Sequence, residues 1–178
     1  QSKIKSFVVN SNTGALTFIE SIATGTNPET GSLRFSPSGN YLYSSALDTH
    51  NISVFSYDSD NGHLTLAHTV PSSPHPSVIT FTPNGKFAYV SNDLGVAPPT
   101  VGDVARVYMY QVQQNGNLVA LSPESSIQSL GNTPYDSVVE PSGRYLYVTN
   151  VGPISMGFQY AETSVSIYSI DQATGALS

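Results

Sequence analysis

The chain has 178 residues, with 12 acidic side chains against 6 basic ones for a formal net charge of −6. Its cations, Lys3, Lys5, Arg34, Lys86, Arg106 and Arg144, are scattered, so there is no basic footprint for a nucleic-acid backbone. The absence of cysteine rules out a disulfide framework, a thiolate nucleophile and a thiol metal site, and no apolar run approaches the ~18 residues of a membrane helix.

Only 10% of the residues are charged, and Ser, Thr, Asn and Gly fill the polar positions. That composition is the ground for expecting an extracytoplasmic location, whether periplasmic, cell-surface or secreted. The first residue, Gln1, reads as the start of a processed or excised product.

In chain order, residues 2–9 alternate in strand fashion, Asn12-Thr13-Gly14 reverses the chain, and residues 16–22 run back. The next strand, 33–36, ends at Pro37-Ser38-Gly39, where Pro presets the first turn angle and Gly takes the position that must relax. Strands follow at 41–46 and 52–57, and Asp60-Asn61-Gly62 turns the last of these into 64–69. After the Pro-rich connector 71–76 the same order returns at 78–82, 87–92, 106–112 and 118–121. A third round runs through 137–140, 145–150 and 165–170 and reaches Ser178 as its fourth strand begins. No helical periodicity of useful length appears.

Two texts recur. One is FSPSGNYLYSS at 35–45, FTPNGKFAYVSN at 81–92 and VEPSGRYLYVTN at 139–150. The other is SVFSYDSDNGHL at 53–64, RVYMYQVQQNGNL at 106–118 and SVSIYSIDQATGAL at 164–177, with a relative, KIKSFVVNSNTGAL, at 3–16. The turn prolines Pro37, Pro83 and Pro141 set repeats of 46 and then 58 residues. Four antiparallel strands per unit of about 45 residues is the pattern of propeller blades. The expected fold is therefore an all-β propeller of about three and a half blades: residues 1–25 form the last two strands of one blade, 26–70 and 71–125 full blades, and 126–178 an incomplete one. Such an array does not close a ring, so another chain or missing blades are expected to complete it.

The texts PSGRYLYVTN at 141–150 and SVSIYSIDQATGAL at 164–177 resemble the YVTN-like repeats of the seven-bladed lactonase-type propellers, which include 6-phosphogluconolactonases and carboxy-cis,cis-muconate cyclases. The resemblance extends over essentially the whole chain and implies fold more than activity. The enzymes of that family carry a His-x-His or a single His just before a blade's first strand and a later Asp-Leu-Gly. Here His75 matches the first histidine, Ser77 stands at the second, and Asp93-Leu94-Gly95 follows.

In a propeller the connections between second and third strands share one face with those between blades. All length variation falls on that face, here called the top, where long loops tend to carry function. The resemblance nominates His75 and Asp93, joined by Arg106, for general acid-base work with a cation holding an anionic group. Asp48, His50, Asp103, Tyr135 and Asp136 are candidate ligand contacts on the same face. Arg34 lies on an innermost strand and either faces the channel to hold an anion or forms a structural ion pair.

Asp58 to Gly62 is one residue short of a calcium loop and reads as a hairpin turn, so no metal and no cofactor is expected. Residues 152–160 form an insertion whose Met156, Phe158 and Tyr160 suit a binding surface. Two readings follow. In the first, an extracytoplasmic propeller segment presents top-face loops to a small-molecule or protein ligand without catalysing a reaction by itself. In the second it is a 6-phosphogluconolactonase-like lactone hydrolase.

Overall fold

The aromatic and aliphatic runs become strands, and in the two middle sheets β-strands such as 41–46 and 87–92 bury both faces between neighbouring sheets. The computed structural model describes residues 3–24, 30–46, 49–72, 74–92, 105–122, 125–130, 133–151 and 163–178. No helix occurs among them, and so none that is long and apolar enough to cross a membrane.

An antiparallel hairpin of β1 (Lys3–Val9) and β2 (Leu16–Ala23) comes first. The next sheet is a simple meander of β3 (Thr30–Phe35), β4 (Tyr41–Ala46), β5 (Asn51–Tyr57) and β6 (Leu64–Pro71). A second sheet repeats it with β7 (Pro76–Phe81), β8 (Phe87–Asn92), β9 (Arg106–Val112) and β10 (Leu118–Ala120). Here the outer edge continues as β11 (Ser126–Gln128), which also pairs with β9 and which the sequence did not reveal. The last sheet holds β12 (Thr133–Val139), β13 (Tyr145–Val151) and β14 (Thr163–Ser169), with an Ile170–Leu177 bridge opening its fourth position. β7 lies beside both β3 and β12, so the first strands of the sheets gather on one side, as radial blades require. The architecture is an all-β partial propeller.

Each turn between a sheet's first two strands is closed by one polar residue. Ser36 Oγ accepts the Tyr41 amide, Thr82 Oγ1 accepts the Phe87 amide, and the Glu140 carboxylate accepts the amides of Ser142 and Arg144. The hydroxyl and amide donors around Glu140, above all Ser142, hold its carboxyl down to about 2. The hairpins between third and fourth strands use Asx bonding instead. Asn10, Asp58 and Asp171 each accept amides two or three residues on, so the Asp58 carboxylate is occupied by its own turn.

Three apolar clusters sit between consecutive sheets. A polar fastening recurs across two of these boundaries. The Tyr43 hydroxyl donates to the Gly116 carbonyl at 2.7 Å, and the Tyr89 hydroxyl donates to that of Gly175 at 2.9 Å. Burial pushes both phenols up from their ordinary pKa. Above each bond an aromatic ring, Tyr41 or Phe87, lies where a Cβ on that glycine would stand, so the close approach needs glycine as well as its positive φ.

The first hairpin is fastened differently. Ile4 packs with Leu42, Phe55 and Leu64, and Glu20 accepts the Leu64 amide at 2.6 Å while meeting His63 Nδ1 at 2.9 Å. Beside it an apolar groove of about 660 Å³ opens over Phe35 and Leu42. Both ends of the array show apolar faces: Phe7, Val9, Leu16 and Phe18 at one, Val138, Tyr145, Val165 and Ile167 at the other.

Candidate functional site

His50 ends the connection into β5, and His75 immediately precedes β7, so two separate top-face segments converge. The His75 amide donates to His50 Nδ1 at 3.0 Å, and the Ser72 amide donates to the His50 carbonyl at 2.8 Å. His50 thus holds the inter-blade connector at two points. The imidazoles meet edge to face with centroids 5.0 Å apart. Because Nδ1 of His50 accepts, its lone pair faces the amide and the neutral ring carries its proton on Nε2.

Both histidines adopt left-handed backbone, φ 54° at His50 and 51° at His75, and they are the only non-glycine residues to do so among those described. Such a conformation costs on the order of 1 kcal/mol or more in a residue with a Cβ and concentrates where function requires it. Both side chains are exposed, so the hydrogen bond and the ring contact hold the pair in place while leaving it open to solvent.

The other nominated residues divide into three groups. Arg106 stands on the same rim, at the start of β9, but its side chain is engaged: Nε donates to Ser126 Oγ at 2.8 Å and an NH2 donates to the Ser126 carbonyl at 3.2 Å. Its amide is fixed by Asn92 Oδ1 at 2.6 Å. The matching Asn150 sits 3% exposed, accepting from Ser129 Oγ at 3.1 Å and donating to Ser166 Oγ at 2.8 Å. The Asn that ends the second and third copies of the repeated text is therefore a buried bracket between strands, not a ligand contact.

Arg34 and Asp136 form the second group. They pair with each other at 3.4 Å across the inner strands, with side chains 44% and 59% exposed. Asp136 also accepts the Ser137 amide at 2.8 Å. Arg34 faces Tyr43 across the sheet as Thr80 faces Tyr89, which sets it level with Thr80. His75 lies five residues before Thr80, roughly 16 Å along an extended strand. Arg34 and His75 therefore do not share one site. Tyr135 is 70% exposed beside the Arg34 pair. The third group, Asp48, Asp93 and Asp103, lies outside the described residues, as does the 152–160 insertion.

Both histidines stand out in the sequence, but the bond between them does not, nor do the roles of Ser72 and Ser126. A histidine written before a strand carries no mark of positive φ, and the Arg106 clasp requires β11, which was not foreseen.

A family model described as lactonase, seven-bladed β-propeller, matches residues 1–81 and 66–178. Among solved structures, a Bacteroides uniformis protein provisionally named a 6-phosphogluconolactonase superposes with a TM-score of 0.80 at 22% identity over 99% of this chain and 46% of its own. A Lactobacillus plantarum protein gives 0.78 at 22% identity over 99% and 47%. A periplasmic gluconolactonase from Pseudomonas aeruginosa gives 0.57 at 25% identity over 73% and 33%. The chain thus spans about half the length of the first two of these structures. The curated proteins yield no match to this sequence.

Proposed function

Since the chain belongs to the lactonase family of seven-bladed β-propellers, we propose that it presents its top-face loops, centred on His50 and His75, to a small polar ligand and does not turn that ligand over by itself. The observation that carries this reading is the exposed histidine pair held at positive φ by the amide-to-Nδ1 bond. Two imidazoles can accept and donate to hydroxyl or carboxylate groups. Arg34 is separated from them and paired, and Arg106 is held by Ser126, so the described residues bring no unengaged cation to the histidines. An anionic lactone would need one. The low charge and the likeness to a periplasmic gluconolactonase support placing the protein outside the cytoplasm.

A second reading, lactone hydrolysis with His75 as the acid-base group, draws on the gluconolactonase names among the similar structures. Asp93 and Asp103 would serve it as carboxylates, and Asp48 with Asp136 and Tyr135 would contact substrate at the rim.

Imidazole carbon-proton NMR, with glucono-1,5-lactone and gluconate as the titrated compounds, tests both readings. Saturable shifts at His50 and His75, with lactone loss no faster than in buffer, support the binding reading. Lactone loss above the spontaneous rate that disappears in His75→Ala replaces it with the second. Silence of both histidines up to ~10 mM ligand, where even a weak site with a millimolar Kd would be largely filled, sinks both.

A further inference from the structure

The third strands β5, β9 and β14 carry Ser53, Tyr108 and Ser166 at one equivalent position, opposite Ser44, Val90 and Val148 of the strands beside them. The two serines are buried and engaged: Ser53 Oγ donates to the Thr24 carbonyl at 3.0 Å, and Ser166 Oγ accepts from Asn150 Nδ2 at 2.8 Å. Tyr108 departs from this pattern. It is half-buried, and its hydroxyl has no partner among the described residues. Burial pushes the phenol's pKa up, against the pull of Arg106, so the hydroxyl stays a donor at neutral pH.

Where the other sheets place a serine, the Tyr108 ring stands beside a cleft of about 560 Å³. Pro71 and Pro74 of the connector wall it on one side, and Tyr108, Tyr110 and Ser125 on the other. Ser125 lies where the outer edge of this sheet is split, its carbonyl taking the Met109 amide at 2.7 Å between the pairings of β10 and β11 with β9. The Ser72 and Tyr110 hydroxyls meet at 3.1 Å and join the two walls. No charged side chain lines the cleft among the described residues, and its volume falls in the range of small-molecule sites, roughly 300–1,000 Å³.

We propose that this cleft binds an uncharged hydroxylated ring, a pyranose or a phenol. The proline and tyrosine rings offer flat apolar faces to such a ring, and the Tyr108 hydroxyl donates to one of its oxygens. A carboxylate or phosphate would be stripped of water there with no charged group in the lining to offset the loss. The cleft is separate from the histidine pair and does not depend on the function proposed for it.

NMR of the tyrosine ring protons in the intact chain, titrated separately with methyl glucoside, 4-methylphenol and gluconate to about 50 mM, tests this. Saturable shifts at Tyr108 and Tyr110 with an uncharged probe, at a Kd of about 1–20 mM as suits so small a ligand, are expected. The tighter of the two uncharged probes identifies the source of the ring. Tyr108→Phe weakens that binding about 2- to 10-fold, the effect of one hydrogen bond. Ser125→Trp fills the cleft and abolishes binding, and circular dichroism of both variants matches the wild type. Tyrosine signals that saturate with neither uncharged probe overturn the proposal. So does gluconate binding as tightly as they do, or an affinity indifferent to Tyr108→Phe.

Discussion

Gly116 to Ala, compared with Gly14 to Ala, isolates what the blade-to-blade fastening contributes. Both glycines have positive φ, 81° and 72°, so an added Cβ costs each backbone a similar amount, about 1–2 kcal/mol. Around Gly14 nothing lies within 4 Å, and the cost ends there. At Gly116 the new Cβ would stand 2.6 Å from Tyr41 Cδ1 and 2.7 Å from Cγ, well inside van der Waals contact. The ring or the turn must move by about 1 Å, and overpacking of that kind adds about 1–3 kcal/mol. Displacing the turn also stretches the 2.7 Å bond from Tyr43 to the Gly116 carbonyl, for about another 1 kcal/mol. The expected losses are about 1–2 kcal/mol for Gly14→Ala and about 3–6 kcal/mol for Gly116→Ala.

Urea unfolding followed in parallel by tyrosine fluorescence and far-ultraviolet circular dichroism measures both, since the chain has no tryptophan. With a slope of about 2 kcal/mol per molar urea, the two midpoints should separate by about 1 M or more. Tyr41→Ala introduced with Gly116→Ala should cost less than the sum of the single changes, because the ring that collides has been removed. Equal midpoint shifts for the two glycines, or strict additivity with Tyr41→Ala, would refute the assignment of these turns as inter-blade contacts.

Two further outcomes follow from the same geometry. Glu140, with its folded pKa held down to about 2 by turn donors, strengthens the fold above the unfolded value near 4.5. That contribution is lost as pH falls from there through about 2, so Glu140→Gln should flatten the acid limb of the stability profile and leave its shape above pH 5 unchanged. His50→Ala removes the acceptor of the His75 amide, and hydrogen exchange at that amide should quicken about fivefold while core amides of β8 keep their protection. Unchanged exchange at His75 would show that the bond does not hold the connector.

How much of this was legible in the sequence follows from how far apart the interacting groups are. Turns were readable because Pro37, Gly39 and their repeats act within four residues, and strands were readable because burial on both faces writes itself as apolar runs. β11 escaped because three residues with one aliphatic side chain, Ile127, have no period to detect, and its partner β9 alone determines it. The Arg34–Asp136 pair joins positions 102 residues apart, and the His50–His75 bond joins positions 25 apart. Residue types at both sites were visible; which of them meet was not. Gly116 and Gly175 show the same limit from another side. In the sequence each is only a turn signal, while in the fold each is also the acceptor for a tyrosine in the preceding blade.

The distribution of these contacts accounts for why variation collects on one face. Ser36, Thr82 and Glu140 close the turns at one end of the sheets, and the glycine turns that receive Tyr43 and Tyr89 lie at the same end. Anything that lengthens a connection there breaks a bracket or separates two blades. At the other end Asn92 and Asn150 brace neighbouring strands from within the sheet. That leaves the segments around His50 and His75 able to adopt strained backbone, because the cohesion of the blades is secured elsewhere. A ligand site built there can change its side chains without loosening the array, and for that reason the repeated text identifies the fold while leaving the chemistry to the loops.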